Sequence, residues 1–316
     1  MSLYRQALPQ LGNQLFITDG GLETSLIFHD GIELPYFSSF VLLKDQQGRD
    51  ALRKYYRSYA RIAKQAGLAF ILESPTWRSN RDWGNKIGFT QAELREVNLA
   101  AIALMESIRD EFESHDQPYV ISGCIGPRGD GYRSDARMTQ AEARDYHSEQ
   151  IRSFALSSAD CVTAVTMNYV EEAIGIAMAA RDFDIPAVIS FTVETDGRLP
   201  SGETLDEAIG LVDEACDGYP AYYMVNCAHP SHFESSLAAM KHINRLRGIR
   251  ANASRCSHAE LDEAEELDDG NPEEFGLDYR RLRQRFPQIN IVGGCCGTDH
   301  RHIEQLSLQL VEREVA

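Results

Sequence analysis

Short apolar stretches alternate along the chain with longer segments in which apolar residues recur at helical spacing. Near-continuous apolarity over a few residues, rich in Ile, Val, Phe and Thr, is typical of strands that are buried on both faces of a parallel sheet. Strands are therefore predicted at residues 14–20, 68–74, 118–126, 161–167, 187–194, 222–227, 248–254 and 289–296.

The segments between these stretches carry helix signals. Residues 51–67 place apolar side chains on one helical face and end at Gly67, a residue type favoured just after a helix. Thr90, Thr139 and Thr204 each stand three residues before a glutamate, which is the capping-box pattern of a helix start. Further helices are predicted at 170–182, 231–242, 277–286 and 300–313.

Eight strands alternating with helices favour an α/β fold of the (β/α)8 TIM-barrel type over an open doubly wound sheet, which produces a similar pattern. A chain of 316 residues fits one such barrel, so we expect a single barrel domain over residues 1–316. In a TIM barrel the functional residues lie where the strands end.

The net charge of −17 disfavours nucleic acid and anionic membrane surfaces as partners. No apolar run approaches the roughly 18 residues of a membrane span, and the first residues lack the apolar core of a secretory signal. We therefore expect a cytoplasmic protein with reduced cysteines that acts on small molecules. The sequence leaves its oligomeric state open, a homo-oligomer included.

Polar residues and cysteines follow several predicted strands, and in a barrel they meet at one rim. The candidate site residues are Asp19, Gly20, Gly21, Glu73, Thr76, Glu194, Asn226, Cys227, Cys295 and Cys296. Any one of them alone is better explained as a loop cap. Three cysteines on the sixth and eighth strands are harder to explain in that way.

Three thiolates suit zinc, which prefers four tetrahedral ligands, and a three-ligand set leaves the open position typical of catalytic sites. Gly293 and Gly294 are expected to let the backbone bend so that Cys295 and Cys296 reach one ion. The other cysteines lack this context. Cys161 and Cys216 are expected in the core, Cys124 in the barrel and Cys256 in an exposed loop.

The motifs ITDGGLETSL, SGCIGPRGDGY and GGCCGT, with an upstream Asn-Cys, resemble the zinc-dependent homocysteine S-methyltransferase family over nearly the whole chain. The resemblance implies a (β/α)8 barrel with zinc held by Cys227, Cys295 and Cys296, and a substrate contact at Asp19 and the glycines after it. It also implies transfer of a methyl group from a sulfonium or quaternary ammonium donor to a small thiol. In that mechanism the zinc activates the acceptor thiol.

One departure concerns the acceptor. Where the family carries a glutamate that holds the amino group of homocysteine, this chain has Val165. Glu73 or Glu194 is the expected replacement, and we expect at least one of them in the pocket near the cysteines. Homocysteine is accordingly expected to be a poor substrate, or to have its amino group held differently.

Two alternatives to methyl transfer remain open at this point. One is zinc-assisted hydrolysis or lyase chemistry, with Glu73 or Glu194 as general base. The other is a zinc-binding or sensing barrel that has lost homocysteine methylation, which the valine at position 165 keeps open.

Several side chains near the strand ends have both a structural and a functional interpretation. Trp77 and Trp83 suit either loop packing, which we favour, or a cage for a methylated cation. Arginines in this region could hold a substrate carboxylate but are more often solvated or paired with acids, namely Arg78, Arg128 and Arg133. His229 and His232 are interpreted as polar residues of a helix start. The acidic segment 257–276 is interpreted as a solvated loop or short helix, with a lid over the barrel as the alternative.

Overall fold

The computed structural model describes residues 1–263 and 266–311. In these residues eight parallel strands close into a barrel in chain order, with β1 paired to both β2 and β8. The strands are β1 Phe16–Ile17, β2 Ala69–Glu73, β3 Tyr119–Ile125, β4 Cys161–Met167, β5 Ala187–Phe191, β6 Tyr222–Asn226, β7 Leu246–Ala251 and β8 Ile291–Gly294. The predicted (β/α)8 TIM barrel is confirmed.

Helices surround the barrel. The α-helices are α1 Leu22–Thr24, α2 Gln46–Ala66, α3 Arg81–Lys86, α4 Gln91–Phe112, α5 Gln140–Ala155, α6 Val170–Asp182, α7 Leu205–Cys216, α8 Pro230–Leu237, α9 His258–Glu263, α10 Pro272–Arg285 and α11 His300–Val311. Short 3-10 helices lie at Pro9–Leu11, Pro35–Phe37, Ser39–Lys44 and Ile243–Arg245, and one π-helical turn at Ser25–His29. Within the described part of the chain, no helix has both the length and the apolarity needed to cross a membrane.

The helix boundaries follow the local sequence signals. Thr90, Thr139 and Thr204 each form the predicted capping box at the start of α4, α5 and α7. Gly67 ends α2 in the left-handed conformation (φ 71°), which glycine adopts at little cost. Three predicted boundaries were wrong. Helix α2 begins earlier, at Gln46, because the Asp45 side chain accepts a hydrogen bond from the Gly48 N–H. Helix α8 already ends at Leu237, and α10 begins earlier, at Pro272, because the Asn271 side chain accepts hydrogen bonds from its first turn.

The amino-terminal end of the barrel is closed. Its interior is filled by buried apolar side chains contributed by most of the strands, including Phe16, Ile71, Val120, Val188, Tyr222, Met224 and Ile291. The first residues of the chain cover this end, because the Asp160 carboxylate accepts hydrogen bonds from the backbone N–H groups of Leu3 and Tyr4 at 2.8 Å. The open space of the barrel is thereby confined to the carboxyl ends of the strands.

Candidate active site

A cavity of about 480 Å³ opens at the carboxyl ends of the strands. It is lined by nearly all of the predicted site residues, namely Asp19, Gly20, Gly21, Glu73, Thr76, Asn226, Cys227, Cys295 and Cys296. Glu194 is half-buried in the loop after β5 and is not among the described lining residues. There its backbone N–H donates to the Arg198 carbonyl at 2.8 Å, so the chain has turned away from the cavity.

The three predicted metal ligands form one cluster. The sulfur atoms of Cys227, Cys295 and Cys296 all lie within 4.8 Å of one another. Cys227 and Cys295 are joined as a disulfide, with their Cα atoms 5.4 Å apart, and Cys296 Sγ lies 4.0 Å from Cys227 Sγ. The cluster runs from the buried Cys227 to the exposed Cys296, so it is open to the cavity on one side.

The backbone that presents Cys227 is held by Asn226. The Asn226 Oδ1 accepts hydrogen bonds from the Thr166 N–H at 2.8 Å and from Ser190 Oγ at 2.6 Å, and its Nδ2 donates to Thr166 Oγ1 at 2.9 Å. Thr166 and Cys227 both have positive φ angles, 62° and 53°, a conformation that non-glycine residues rarely adopt. Asn226 therefore joins the ends of β4, β5 and β6 and maintains this strained geometry.

The glycines around the cluster are required for close packing. A Cβ atom on Gly21 would come 2.7 Å from the Cys295 carbonyl oxygen, and one on Gly294 would overlap the Thr298 hydroxyl. Gly293 and Gly294 do not have positive φ angles. Our expectation that they serve to bend the backbone was therefore wrong. They let the β1 and β8 turns approach each other.

Gly293→Ala is expected to lower the free energy of unfolding by about 1–3 kcal/mol, the range for overpacking a tight interior. The new methyl group would overlap the Thr18 hydroxyl and press on the Asp19 carbonyl oxygen at 3.1 Å. Urea unfolding followed by circular dichroism measures the change. Gly129→Ala is the matched control, because a Cβ there meets no atom within 4 Å. Equal stability of the two variants would contradict the packing argument.

A buried charge cluster lies at the floor of the cavity. Asp19 Oδ1 accepts a hydrogen bond from Arg250 Nη2 at 2.7 Å, and Asp19 Oδ2 accepts one from the Tyr55 hydroxyl at 3.0 Å. Glu73 Oε2 lies 3.7 Å from Arg250 Nη1 and has no hydrogen-bond partner. Sequence reasoning missed Arg250. The available signal was a charged residue inside a predicted strand, although β7 also contains Arg247.

The two carboxyl groups of this cluster are buried. Burial raises the pKa of Glu73 and of Asp19, and the Arg250 guanidinium opposes the increase for both. A nearby cation stabilises a buried carboxylate more than a carboxylate that is exposed to solvent, because water does not screen the buried charge. Two carboxyl groups share one guanidinium here, so the floor of the cavity is suited to a positively charged ligand group.

Val165, at the end of β4, lines the cavity with an apolar surface that is 9% exposed. No carboxylate therefore enters the cavity from this position. The pairing of β4 with β5 is irregular between Ala164 and Met167, where Thr166 has its positive φ angle. This irregularity sets the direction of the neighbouring Val165 side chain.

The two tryptophans line the cavity mouth, but a cation of the chain already lies between them. The Arg78 guanidinium carbon is 4.0 Å from the centre of the Trp77 ring and 3.7 Å from that of Trp83. Arg128 is exposed and pairs with Asp82 at 2.7 Å. Arg133 is also exposed, and neither it nor Arg128 is among the described lining residues.

The remaining cysteines lie where the sequence indicated. Cys161 and Cys216 are buried, Cys124 is buried and lines the cavity, and Cys256 is exposed. Burial raises the pKa of the Cys124 thiol well above its usual range, so this thiol is protonated at neutral pH.

Both histidines serve local structure. The His229 ring accepts a hydrogen bond from the Ser231 N–H and caps α8, and burial lowers its pKa to about 4. His232 contacts the Arg255 carbonyl oxygen at 3.0 Å.

The acidic segment 257–276 contributes to the cavity. It contains α9 and the start of α10, and its residues 264 and 265 lie outside the described part of the chain. His258, Leu261 and three residues after α9 line the cavity, and the His258 ring stacks on Tyr132 with 4.0 Å between centres. The segment thus forms part of the wall at the cavity mouth, as the lid alternative required, and it does so partly through a short helix.

Comparison with known proteins agrees with this geometry. The homocysteine S-methyltransferase family model matches residues 16–310. Homocysteine S-methyltransferase YbgG of Bacillus subtilis is 23% identical over 70% of this chain and 72% of its own length. Homocysteine S-methyltransferase 2 of Arabidopsis thaliana is 22% identical over 97% and 96%.

Among solved structures, the metallated form of the homocysteine methyltransferase MmuM from Escherichia coli has the same fold, with a TM-score of 0.76 and 17% identity over 96% of this chain and 99% of that one. Its oxidized form matches with a TM-score of 0.74 and 18% identity over 96% and 98%. The family match, which extends over most of the chain, decides the assignment: the chain belongs to the homocysteine S-methyltransferase family and is a thiol S-methyltransferase.

Proposed function

We propose that this enzyme moves a methyl group from a sulfonium or quaternary ammonium donor to a small amino-bearing thiol of the homocysteine class, with zinc held by Cys227, Cys295 and Cys296. The observation that carries the proposal is the cluster of three sulfur atoms, all within 4.8 Å, at the edge of a cavity of about 480 Å³.

The donor set fits zinc. Three sulfur ligands suit a borderline-soft ion, and they leave one tetrahedral position for a group from outside the protein. When bound, zinc supplies Lewis acidity that lowers the pKa of an acceptor thiol. The cysteine pair joined in the structure must be reduced before all three sulfurs can act as ligands.

The chain itself contributes positioning and charge. Among the described residues, six carboxyl side chains but only two guanidinium groups line the cavity, and this excess attracts a cationic donor. The acceptor thiolate attacks the methyl carbon, and a new sulfur–carbon bond forms as the bond from carbon to the donor heteroatom breaks. The electron pair stays on that heteroatom and the donor leaves neutral, so no general acid is required.

For the acceptor amino group we propose Glu73, assisted by Asp19, in place of the carboxylate that is missing at Val165. The buried Glu73 Oε2, which has no hydrogen-bond partner, supports this assignment. A substrate ammonium beside Glu73 would pair the two carboxylates, Asp19 and Glu73, with two cations. The excess of negative charge around Arg250 would then be neutralised.

The test is a donor-by-acceptor activity screen on reduced, zinc-loaded protein. Sulfonium and quaternary ammonium donors are paired with thiols with and without an amino group, and the methylated thiol is measured by mass spectrometry. Turnover is expected for at least one pair whose acceptor carries an amino group. Absence of methylated product from every pair, with zinc bound and the protein folded, would refute the proposed function.

A further inference from the structure

Arg78 is a buried cation held at the cavity wall. Its side chain belongs to the loop between β2 and α3, it is only 7% exposed, and it lines the cavity. The Trp77 and Trp83 rings flank the guanidinium at 4.0 and 3.7 Å. Stacking between two rings fixes the plane of the guanidinium and therefore the directions of its N–H groups.

The hydrogen-bonding capacity of Arg78 is largely unused. Nη1 donates to the Gly129 carbonyl oxygen at 2.9 Å, whereas the buried Nε has no partner. Among the ion pairs of residues 1–263 and 266–311, none within 4.0 Å involves Arg78. By contrast, the buried Arg109 pairs with Asp160 at 3.1 Å and Arg250 pairs with Asp19 at 2.7 Å.

Stacking and one carbonyl contact do not replace the water that a guanidinium loses on burial. Burial lowers the pKa of Arg78 to about 10, with Asp130 the strongest opposing influence, so the side chain remains charged at neutral pH. The Trp83 indole N–H beside it is also buried without an acceptor. The Trp77 indole N–H is likewise buried without an acceptor, and it packs against Gly126, where an added Cβ would lie 2.6 Å from the indole nitrogen.

We propose that Arg78 binds a carboxylate carried by one of the two substrates of the proposed methyl transfer, on which this inference rests. A planar, singly charged carboxylate matches the planar guanidinium. A phosphate would bring more charge into a cavity whose other described arginine, Arg250, already pairs with Asp19 and lies beside Glu73. The carboxylate belongs either to the acceptor, as in an α-amino acid, or to a zwitterionic donor.

Binding can be measured without turnover because the chain contains only two tryptophans, and both flank Arg78. The donor arm compares 3-(dimethylsulfonio)propionate with ethyldimethylsulfonium, which differ by the carboxylate. The acceptor arm compares homocysteine with 3-aminopropane-1-thiol, which differ in the same way. Each compound is titrated against intrinsic fluorescence in wild type, Arg78→Met and Arg128→Met. Arg128 is the matched control, because it is exposed and pairs with Asp82.

In one arm, the compound with the carboxylate is expected to bind wild type and Arg128→Met at least about tenfold more tightly than the compound without it. A difference of about tenfold is the usual effect of one charge-assisted hydrogen bond. Arg78→Met is expected to lose that preference and to bind the carboxylate-free compound unchanged. The arm that shows the loss identifies the substrate that carries the carboxylate. A preference that survives in Arg78→Met, or no preference in either arm of wild type, overturns the proposal.

If thermal melting shows that Arg78→Met does not fold, Arg78→Lys takes its place in the same titrations. Lysine keeps the charge but loses the planar fork, so a weakened preference is expected and an unchanged one overturns the proposal. The readout also separates this inference from the proposed function. Carboxylate-dependent binding that Arg78→Met abolishes, in a protein that methylates no thiol, would retain the Arg78 site and refute methyl transfer.

Discussion

Cys296→Ser is expected to remove zinc and to reduce methyl transfer by more than about 100-fold, because losing even a supporting partner of a ligand typically costs 10–100-fold. Serine keeps the size of the side chain but offers a weak, protonated oxygen in place of a thiolate. The same result is expected for Cys227→Ser and Cys295→Ser. Zinc is counted by emission spectrometry after reduction, and wild type should hold about one ion per chain.

The matched control is Cys256→Ser, since Cys256 is exposed and lies outside the three-sulfur cluster. This variant should keep both its zinc and its activity. Reductant must be present throughout, because Cys227 and Cys295 are joined as a disulfide in the structure. Stoichiometric zinc in both Cys295→Ser and Cys296→Ser would show that the metal site has been assigned to the wrong residues.

Glu73→Gln is expected to raise KM for an amino-bearing thiol by roughly one to two powers of ten, which corresponds to the loss of about 1.5–3 kcal/mol from a charge-assisted hydrogen bond. Thiols without an amino group should be unaffected. Val165→Glu restores a carboxylate at the end of β4 and should improve turnover of homocysteine. Steady-state kinetics with a fixed sulfonium donor measure both effects.

Glu194→Gln is the control for Glu73→Gln, because it makes the same chemical change outside the described cavity lining. Arg250 keeps Asp19 as a partner when Glu73 is changed, so the variant should remain folded. The assignment of Glu73 is wrong if Glu73→Gln slows thiols with and without the amino group equally. It is also wrong if a strong preference of wild type for homocysteine survives the substitution.

The fold was predictable because continuous apolar stretches mark strands that are covered on both faces, and each of the eight predicted stretches contains or overlaps a barrel strand. The residues at which each strand begins and ends were not predictable in the same way. Residues 18–20 read as strand, yet β1 ends at Ile17, because the chain there packs against the turn that follows β8. Contacts between residues distant in the sequence set this limit.

The site was predictable as far as residues at strand ends determine it. Asp19, Glu73 and the three cysteines were expected to lie together because strand ends of a barrel meet at one rim, and they line one cavity. Arg250 was missed because it lies within β7 rather than after it, and only the closed barrel brings it to Asp19. Glu73 is the last residue of β2, whereas Glu194 lies beyond the end of β5, in a turn where its N–H bonds to the Arg198 carbonyl. Sequence spacing does not reveal that turn.

The hydrogen bonds of the Asn226 carboxamide give two neighbouring residues of β4 different structural roles. Thr166 takes part in the hydrogen bonds that hold the end of β6, so a change there would disturb Cys227 as well. Val165, one residue earlier, contributes only its side chain to the cavity wall. We therefore expect that an exchange of valine for glutamate at position 165 changes the preferred acceptor while the hydrogen bonds between Thr166 and Asn226 remain intact.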